Sequence, residues 1–382
     1  MKISKDVVYA GVADTEIDLF ESQYEVPDGV TYNSYVICDE KTAVMDTVDA
    51  RKTDEWMKRL KEILGERKPS YLVISHVEPD HAGSVDAFLE AYPETEVVGN
   101  AKTFQFLFQF FPGWREKMHM VTVSEGEILN LGKHSLQFFM APMVHWPEVM
   151  VSYDSTDRIL FSADGFGSFG TDGLLEDWAC EARRYYINIV GKYGAMVQAL
   201  LKKASALALE VICPLHGPVL SENLGYYLEK YHTWSSYVPE DKGVLIAYAS
   251  IHGHTAAVAK EAAELLGKRG EKVEIYDLAR DDMSEAVEGA FRYDRMLLAG
   301  ATYDGGIFPC MEDFLSHLKS KAYQNRTVAL IENGTWAPMA GKHMRQALES
   351  MKNITILEDI LTIKSAPDKQ TWEALRKLVE KL

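Results

Sequence analysis

One run, Ser75-His-Val-Glu-Pro-Asp-His-Ala-Gly83, constrains this chain more than any other feature. It closes the β-prone stretch Tyr71–Ser75 and places four potential metal ligands, His76, Glu78, Asp80 and His81, within six residues. A turn at the carboxyl end of a buried strand is rigid, and a two-metal site needs several ligands fixed together in that way. Gly83 suits a tight exit into a following helix. Three isolated candidates also follow β-prone stretches: His145 after Leu136–Met140, Asp164 after Ile159–Ser162 and His216 after Val211–Cys213. Gly165 and Gly217 come directly after two of them. Taken singly, such a residue is usually a cap, a turn residue or a solvated side chain. Seven suitable side chains on four strand-end loops are a different matter, and together they predict one site built from four His, two Asp and one Glu. His119, His134, His232, His317 and His343 fall outside the pattern and are expected on the surface or in the core.

The chain is 382 residues long, which predicts two domains. Residues 1–240 are rich in short β-prone runs: Tyr35–Cys38, Ala43–Asp46, Tyr71–Ser75, Glu96–Gly99, Ser135–Met140, Ile159–Ser162 and Val211–Cys213. Helical periodicity lies between them over Thr53–Leu64 and Lys192–Leu209. Strands with helices outside them predict an αβ/βα sandwich. A polar stretch carrying Pro and Gly, Ser235–Gly243, reads as a linker. Residues 241–382 then alternate regularly. Val244–Tyr248, Lys272–Asp277, Arg295–Ala299, Thr327–Ile331 and Thr355–Leu357 read as strands. Thr255–Arg269, Met311–Lys319, Ala340–Met351 and Lys369–Lys381 read as helices. That alternation predicts a doubly wound parallel sheet.

Three loops of this second domain carry a second chemistry. Ser250-Ile-His-Gly-His-Thr255 links the first strand to the first helix. The hydroxyls of Ser250 and Thr255, with Gly253 between them and helix-start N–H groups nearby, can ring a phosphate. Ile251, His252 and His254 complete the loop, which has neither the G-K-[ST] nor the G-x-G-x-x-G pattern. An ordinary helix N-cap would share these features. Two further loops follow the third and fourth strands: Thr302, Tyr303, Asp304, Gly305 and Gly306 in one, Asn333, Gly334, Thr335, Trp336 and Ala337 in the other. Each pairs glycine, which allows close backbone approach, with an aromatic side chain.

Bulk properties exclude several classes. The net charge of −17 argues against nucleic acid and anionic membranes as partners. No run approaches 18 apolar residues, and the N-terminus has no apolar signal-like core. Cys38, Cys180, Cys213 and Cys310 are scattered without a C-x-x-C pair, which fits a reducing cytoplasm and no sequence-local thiolate centre.

The order H-x-E-x-D-H, then His145, Asp164 and His216, resembles the metallo-β-lactamase superfamily, with Glu78 where its hydrolases carry a second His. Mixed His and carboxylate ligation favours iron over zinc. The Ser250–Thr255 loop resembles the phosphate loop of flavodoxins. A metallo-β-lactamase-like domain followed by a flavodoxin-like domain resembles the flavodiiron protein family across essentially the whole chain. That resemblance implies FMN and two non-haem irons. One iron would sit on His76, Glu78 and His145, the other on Asp80, His81 and His216, with Asp164 bridging. It implies reduction of O2 to water, or of NO to N2O. It implies a head-to-tail homodimer or tetramer, with Glu78 and Trp146 near the partner's flavin. Tyr193 matches a tyrosine beside the substrate pocket, and Tyr24 lies near the position of a pocket histidine. The electron donor would be a separate protein, commonly rubredoxin, or reduced F420. The alternatives are a zinc hydrolase with an accessory flavodoxin domain and a non-catalytic electron-transfer protein.

Overall fold

Short β-branched and aromatic runs assemble into two facing sheets in the first part of the chain. The computed structural model describes residues 1–171 and 177–382. Two units result: Met1–Tyr186 with Ala195–His232, and Ile187–Gly194 with Thr233–Leu382.

In the first unit a six-stranded sheet runs in the order Val7–Tyr9, Tyr35–Ile37, Thr42–Met45, Pro69–Val73, Glu96–Gly99, His119–Thr122. A five-stranded sheet runs Ile128–Asn130, Ser135–Met140, Met150–Asp154, Ile159–Phe161, Val211–Cys213. One core lies between them. Tyr35, Ile37, Met45 and Val73 of the first sheet pack with Phe138, Met150, Phe161 and Cys213 of the second. Thr53–Leu64 is amphipathic: Trp56, Met57, Leu60 and Leu64 are buried at helical spacing. This is the expected αβ/βα sandwich. Strand direction explains where the site forms. Ser135–Met140 and Ile159–Phe161 are each antiparallel to Met150–Asp154, so they run the same way, and Val211–Cys213 is parallel to Ile159–Phe161. Their carboxyl ends therefore share one end of the sheet, and the N–H of Met150 donates to the carbonyl of Ser75 at 3.1 Å, bringing the first sheet's ligand loop there too.

The second unit is a parallel sheet in the order Val273–Asp277, Asp241–Ala249, Tyr293–Tyr303, Gln324–Asn333, Lys352–Ile363. This doubly wound order puts ligand sites at the carboxyl ends of the strands. Residues 243–249 are all buried because helices cover both faces of the strand. Val244, Ile246 and Tyr248 pack with the helices His254–Lys268 and Lys369–Lys381. On the other face a Cβ at Gly289 would lie 3.1 Å from Leu245.

Several elements differ from expectation. Ser235–Gly243 is only partly a linker: the helix Leu224–Ser235 ends in it and the strand Asp241–Ala249 begins in it, which leaves residues 236–240 between them. Gly243 serves close packing, since a Cβ there would lie 2.6 Å from the Tyr293 ring. The stretch 187–194 is grouped with the second unit. Its Asn188 amide donates to the Ser284 carbonyl at 3.2 Å, and Lys321 donates to the Asn188 carbonyl at 2.7 Å. The helix expected over Lys192–Leu209 is a turn at Gly191–Tyr193 followed by Gly194–Ala204. The short strand Thr355–Leu357 extends over Lys352–Ile363, where its edge position tolerates Glu358 and Asp359.

Candidate metal centre and flavin pocket

The loop after Pro69–Val73 is clasped from beneath. Asp46 accepts the backbone N–H of Ser75 at 2.7 Å and of His76 at 3.4 Å. Burial pushes its carboxyl up to about 6 despite these bonds. Thr47 donates to the carbonyl of His81 through both its N–H, at 3.0 Å, and its hydroxyl, at 2.6 Å. Pro79 opens the one-turn helix Pro79–Ala82, which suits its fixed φ and missing N–H, and turns Asp80 and His81 inward. Gly83 is required at the exit, because a Cβ would lie 2.4 Å from the Pro79 carbonyl.

The seven predicted ligands converge in two groups. His76, Glu78, His145 and Asp164 offer ligand atoms within 4.8 Å of one another, and so do Asp80, His81 and His216. Asp164 faces both groups. Its Oδ2 lies 3.4 Å from His76 Nε2 and 3.1 Å from His145 Nε2, while its Oδ1 lies 3.0 Å from His81 Nε2 and 3.8 Å from His216 Nε2. Glu78 Oε2 is 3.1 Å from His76 Nε2 and 3.0 Å from His145 Nε2, and Asp80 Oδ2 is 3.2 Å from His216 Nε2.

These donors fit a pair of cations. Both oxygens of Asp80 and of Asp164, both nitrogens of His81 and Nε2 of His216 are buried without a hydrogen bond. Each stranded polar atom costs roughly 1–3 kcal/mol unless something binds it. The metal-free electrostatics say the same. Burial opposes charge on His145, yet the carboxylates of Asp164 and Glu78, 3.1 and 3.0 Å from its Nε2, push its imidazole up to about 9. Burial likewise opposes charge on Asp164, but the positive potential of His81 and His76 holds it well below the carboxylate range. Protons stand where cations would.

Two ligands are oriented by groups with no sequence signature. His76 donates through Nδ1 to Glu148 at 2.7 Å, and His216 through Nδ1 to the Thr31 carbonyl at 2.7 Å, which leaves each Nε2 facing the centre. Trp146 stands edge-on to His76, with ring centroids 5.2 Å apart. A cavity of about 280 Å³ beside Glu78 and Asp80 is lined by Leu19, Phe20, Glu21, Tyr32 and Arg51, among others. Tyr24 is not among the residues lining this cavity; its buried ring packs on Phe169, with centroids 6.3 Å apart. Glu21, not singled out in the sequence, lines this cavity beside Asp49, Glu78 and Asp80. Tyr193 lies in the turn Gly191–Tyr193 of the segment grouped with the second unit, with the Lys192 ammonium over its ring. His134, left outside the ligand set, is a buried partner of Asp154 at 2.9 Å.

In the second unit a cavity of about 700 Å³ opens among the three predicted loops. Ile251, His252, His254, Thr255, Thr302, Tyr303, Asp304, Gly305, Asn333, Gly334, Thr335, Trp336 and Ala337 line it, joined by Ala301, Met339 and Ser365. Ser250, Gly253 and Gly306 do not line it. Ser250 instead accepts the Gly253 N–H at 3.1 Å, bracing the loop, and Gly253 adopts φ +88°, which only glycine enters freely. Asp304 and Gly305 both have positive φ and join Thr302–Tyr303 to Gly306–Ile307, as a two-residue hairpin turn requires. Asn333 ties two loops together: its amide donates to the Thr255 hydroxyl at 3.3 Å and to the Ser365 carbonyl at 3.0 Å. Hydroxyls and N–H groups at a helix start, beside a slot edged by aromatic side chains, fit a phosphorylated flavin.

Fold and site together define a two-domain metalloflavoprotein. A family model described as ODP family beta lactamase matches residues 30–217, and one described as Flavodoxin domain matches residues 245–358. The chain belongs to the flavodiiron protein family. It is 29% identical over 378 residues to the nitric oxide reductase of Moorella thermoacetica, covering 96% of this chain and 93% of that one. The solved structure of rubredoxin oxygen:oxidoreductase from Desulfovibrio gigas superposes with a TM-score of 0.93 at 26% identity, covering 100% of this chain and 96% of that one. Diflavin flavoprotein A 1 of Synechocystis is 30% identical over 75% of this chain, which spans only 51% of that longer protein.

Proposed function

We propose that this chain is an oxygen or nitric oxide reductase, holding one iron on His76, Glu78 and His145, a second on Asp80, His81 and His216, and FMN in the second unit. The observation that carries this reading is Asp164, whose two oxygens face separate ligand groups. When bound, a pair of irons supplies adjoining sites for O2 or two NO molecules and shares electrons that FMN delivers.

The chain's own part is positioning and charge. Asp46 and Thr47 fix the ligand loop. Glu78, Asp80 and Asp164 offset the positive charge of two cations, and Glu78 in place of a histidine favours iron over zinc. Leu19 and Phe20 give the adjoining cavity an apolar edge that suits small uncharged substrates. Ile251, Tyr303 and Trp336, exposed by 43%, 46% and 91%, surround the flavin cavity with apolar surface that a second copy of the chain would cover in a head-to-tail pair. Electrons would come from a separate carrier, rubredoxin or reduced F420. Among the described residues no disulfide joins any of the four cysteines, as suits the cytoplasm, and no helix is long and apolar enough to cross a membrane.

The test is anaerobic photoreduction of the purified protein, then separate O2 and NO consumption assays beside iron, zinc and FMN counts. Two irons and one FMN per chain with consumption of either gas are expected. Zinc occupancy with hydrolytic turnover and no gas consumption would sink the reading.

A further inference from the structure

The two ligand groups differ in what stands behind their imidazoles. His76 donates through Nδ1 to a full carboxylate, Glu148 Oε1, at 2.7 Å. His216 makes the matching bond to a neutral group, the Thr31 carbonyl, at 2.7 Å. His81 Nδ1 has no hydrogen-bond partner.

Glu148 is held where it is. It is 1% exposed, its Oε1 also accepts the Val77 N–H at 3.0 Å, and its own carbonyl accepts the Asn100 amide at 2.6 Å. Its Oε2 is buried without a hydrogen bond, and among the described residues its only ion-pair partner is His76. Its charge is therefore not cancelled elsewhere. A carboxylate behind a ligating imidazole draws on the Nδ1 proton and makes Nε2 a stronger donor. Inside a buried site an uncancelled charge acts with little screening. Both effects favour the more highly charged metal, and both act on the His76 group. A carbonyl does the same job more weakly for His216.

We propose that Glu148 is a positioning residue that makes the two metal positions unequal, the one at His76, Glu78 and His145 binding iron more tightly and at the lower reduction potential. This rests on the diiron reading above.

The test is a Mössbauer-monitored redox titration of the iron-loaded full chain and of Glu148→Gln. Glutamine keeps a carbonyl oxygen for His76 and Val77 but removes the charge. One ferric/ferrous couple is expected to rise while the other stays, with about a tenfold loss of iron affinity at one position only and unchanged FMN content. Glu148→Asp, which keeps the charge, should return the couple toward its original value. A purely structural role would change affinity without moving one potential selectively. Couples that move together, or not at all, overturn the proposal, as does loss of both irons in place of one. The unsubstituted chain gives a second measurement independent of the variant's folding: a chelator should remove its irons in two steps, and a single step overturns the inequality. An unsubstituted chain that binds no pair of irons sinks the diiron reading, and this assignment with it, before any substitution is made.

Discussion

The metal centre and the flavin cavity are built from opposite materials. The first is made of buried charged side chains drawn from loops between Asp46 and His216, many of them left without hydrogen bonds. The second is made of turns, hydroxyls and backbone N–H groups that already satisfy one another, as Ser250 does Gly253 and Asn333 does Thr255. One site is incomplete without its ligand and the other is preformed. Substitutions should therefore act on iron and flavin separately, and the iron effects should be the larger.

The largest effect is expected at Asp164, the one carboxylate that faces both ligand groups. Asp164→Ala should lower iron content at least about tenfold, with both irons lost together and FMN near its normal content. His81→Ala should act in the same direction. Metal analysis with flavin absorbance checks both. Two irons per chain retained in Asp164→Ala would break the contrast at its strongest point.

Next comes the acid–base behaviour of the metal-free chain. The His145 imidazole sits at about 9 in the folded chain against an ordinary 6.5, since the adjoining carboxylates of Asp164 and Glu78 outweigh the burial that opposes its charge. That stabilisation is fully present below pH 6.5 and is lost as pH rises through 9, a loss on the order of 3 kcal/mol. Glu78 and Asp164 are displaced the other way, so their contribution holds above the ordinary carboxylate range and fades in acid. Urea unfolding of metal-free protein between pH 6 and about 9.5 should show the alkaline loss. Iron-loaded protein should not show it, because cations then replace the protons. A flat profile in the metal-free chain would mean the ligands are not held this close together in solution.

The same contrast explains what could be read from the sequence. Local features were legible: the dense run His76–His81, the glycines after Asp164 and His216, the βαβ alternation and the three loops that edge the flavin cavity. Groups acting across the fold were not. Glu148 and Thr31 contact His76 and His216 from 72 and 185 residues away, and nothing near them in sequence marks the contact. Asp46 looked like the end of a strand, although its carboxylate clasps the ligand loop. Glu21 was missed for a different reason: hairpin geometry, not spacing, decides which residue of Leu19–Glu25 reaches the cavity. Gly243 read as linker because strand packing against Tyr293 leaves no local trace.

At the flavin cavity the expected effects are smaller. Thr255 is buried, lines the cavity, and stands at the start of the helix His254–Lys268. Thr255→Ala removes one hydroxyl from the phosphate site, and a hydrogen bond to a charged group contributes about 1.5–3 kcal/mol. FMN should bind at least about tenfold more weakly, read by flavin fluorescence, with iron content unchanged.

Trp336 should give the smallest effect and the sharpest separation of folding from binding. It is 91% exposed, so its indole supports no core. Trp336→Ala should leave unfolding within about 0.5 kcal/mol of the parent chain. If the indole lies against the flavin ring, the stacking it loses is about 0.5–1.5 kcal/mol, a several-fold drop in FMN affinity. Thermal melts and FMN titration on one preparation measure both quantities. A preformed cavity predicts weaker binding with an unmoved melt. A lowered melt in the flavin-free protein would show instead that the cavity wall depends on this side chain for its shape, and the contrast with the metal centre would then narrow from the flavin side.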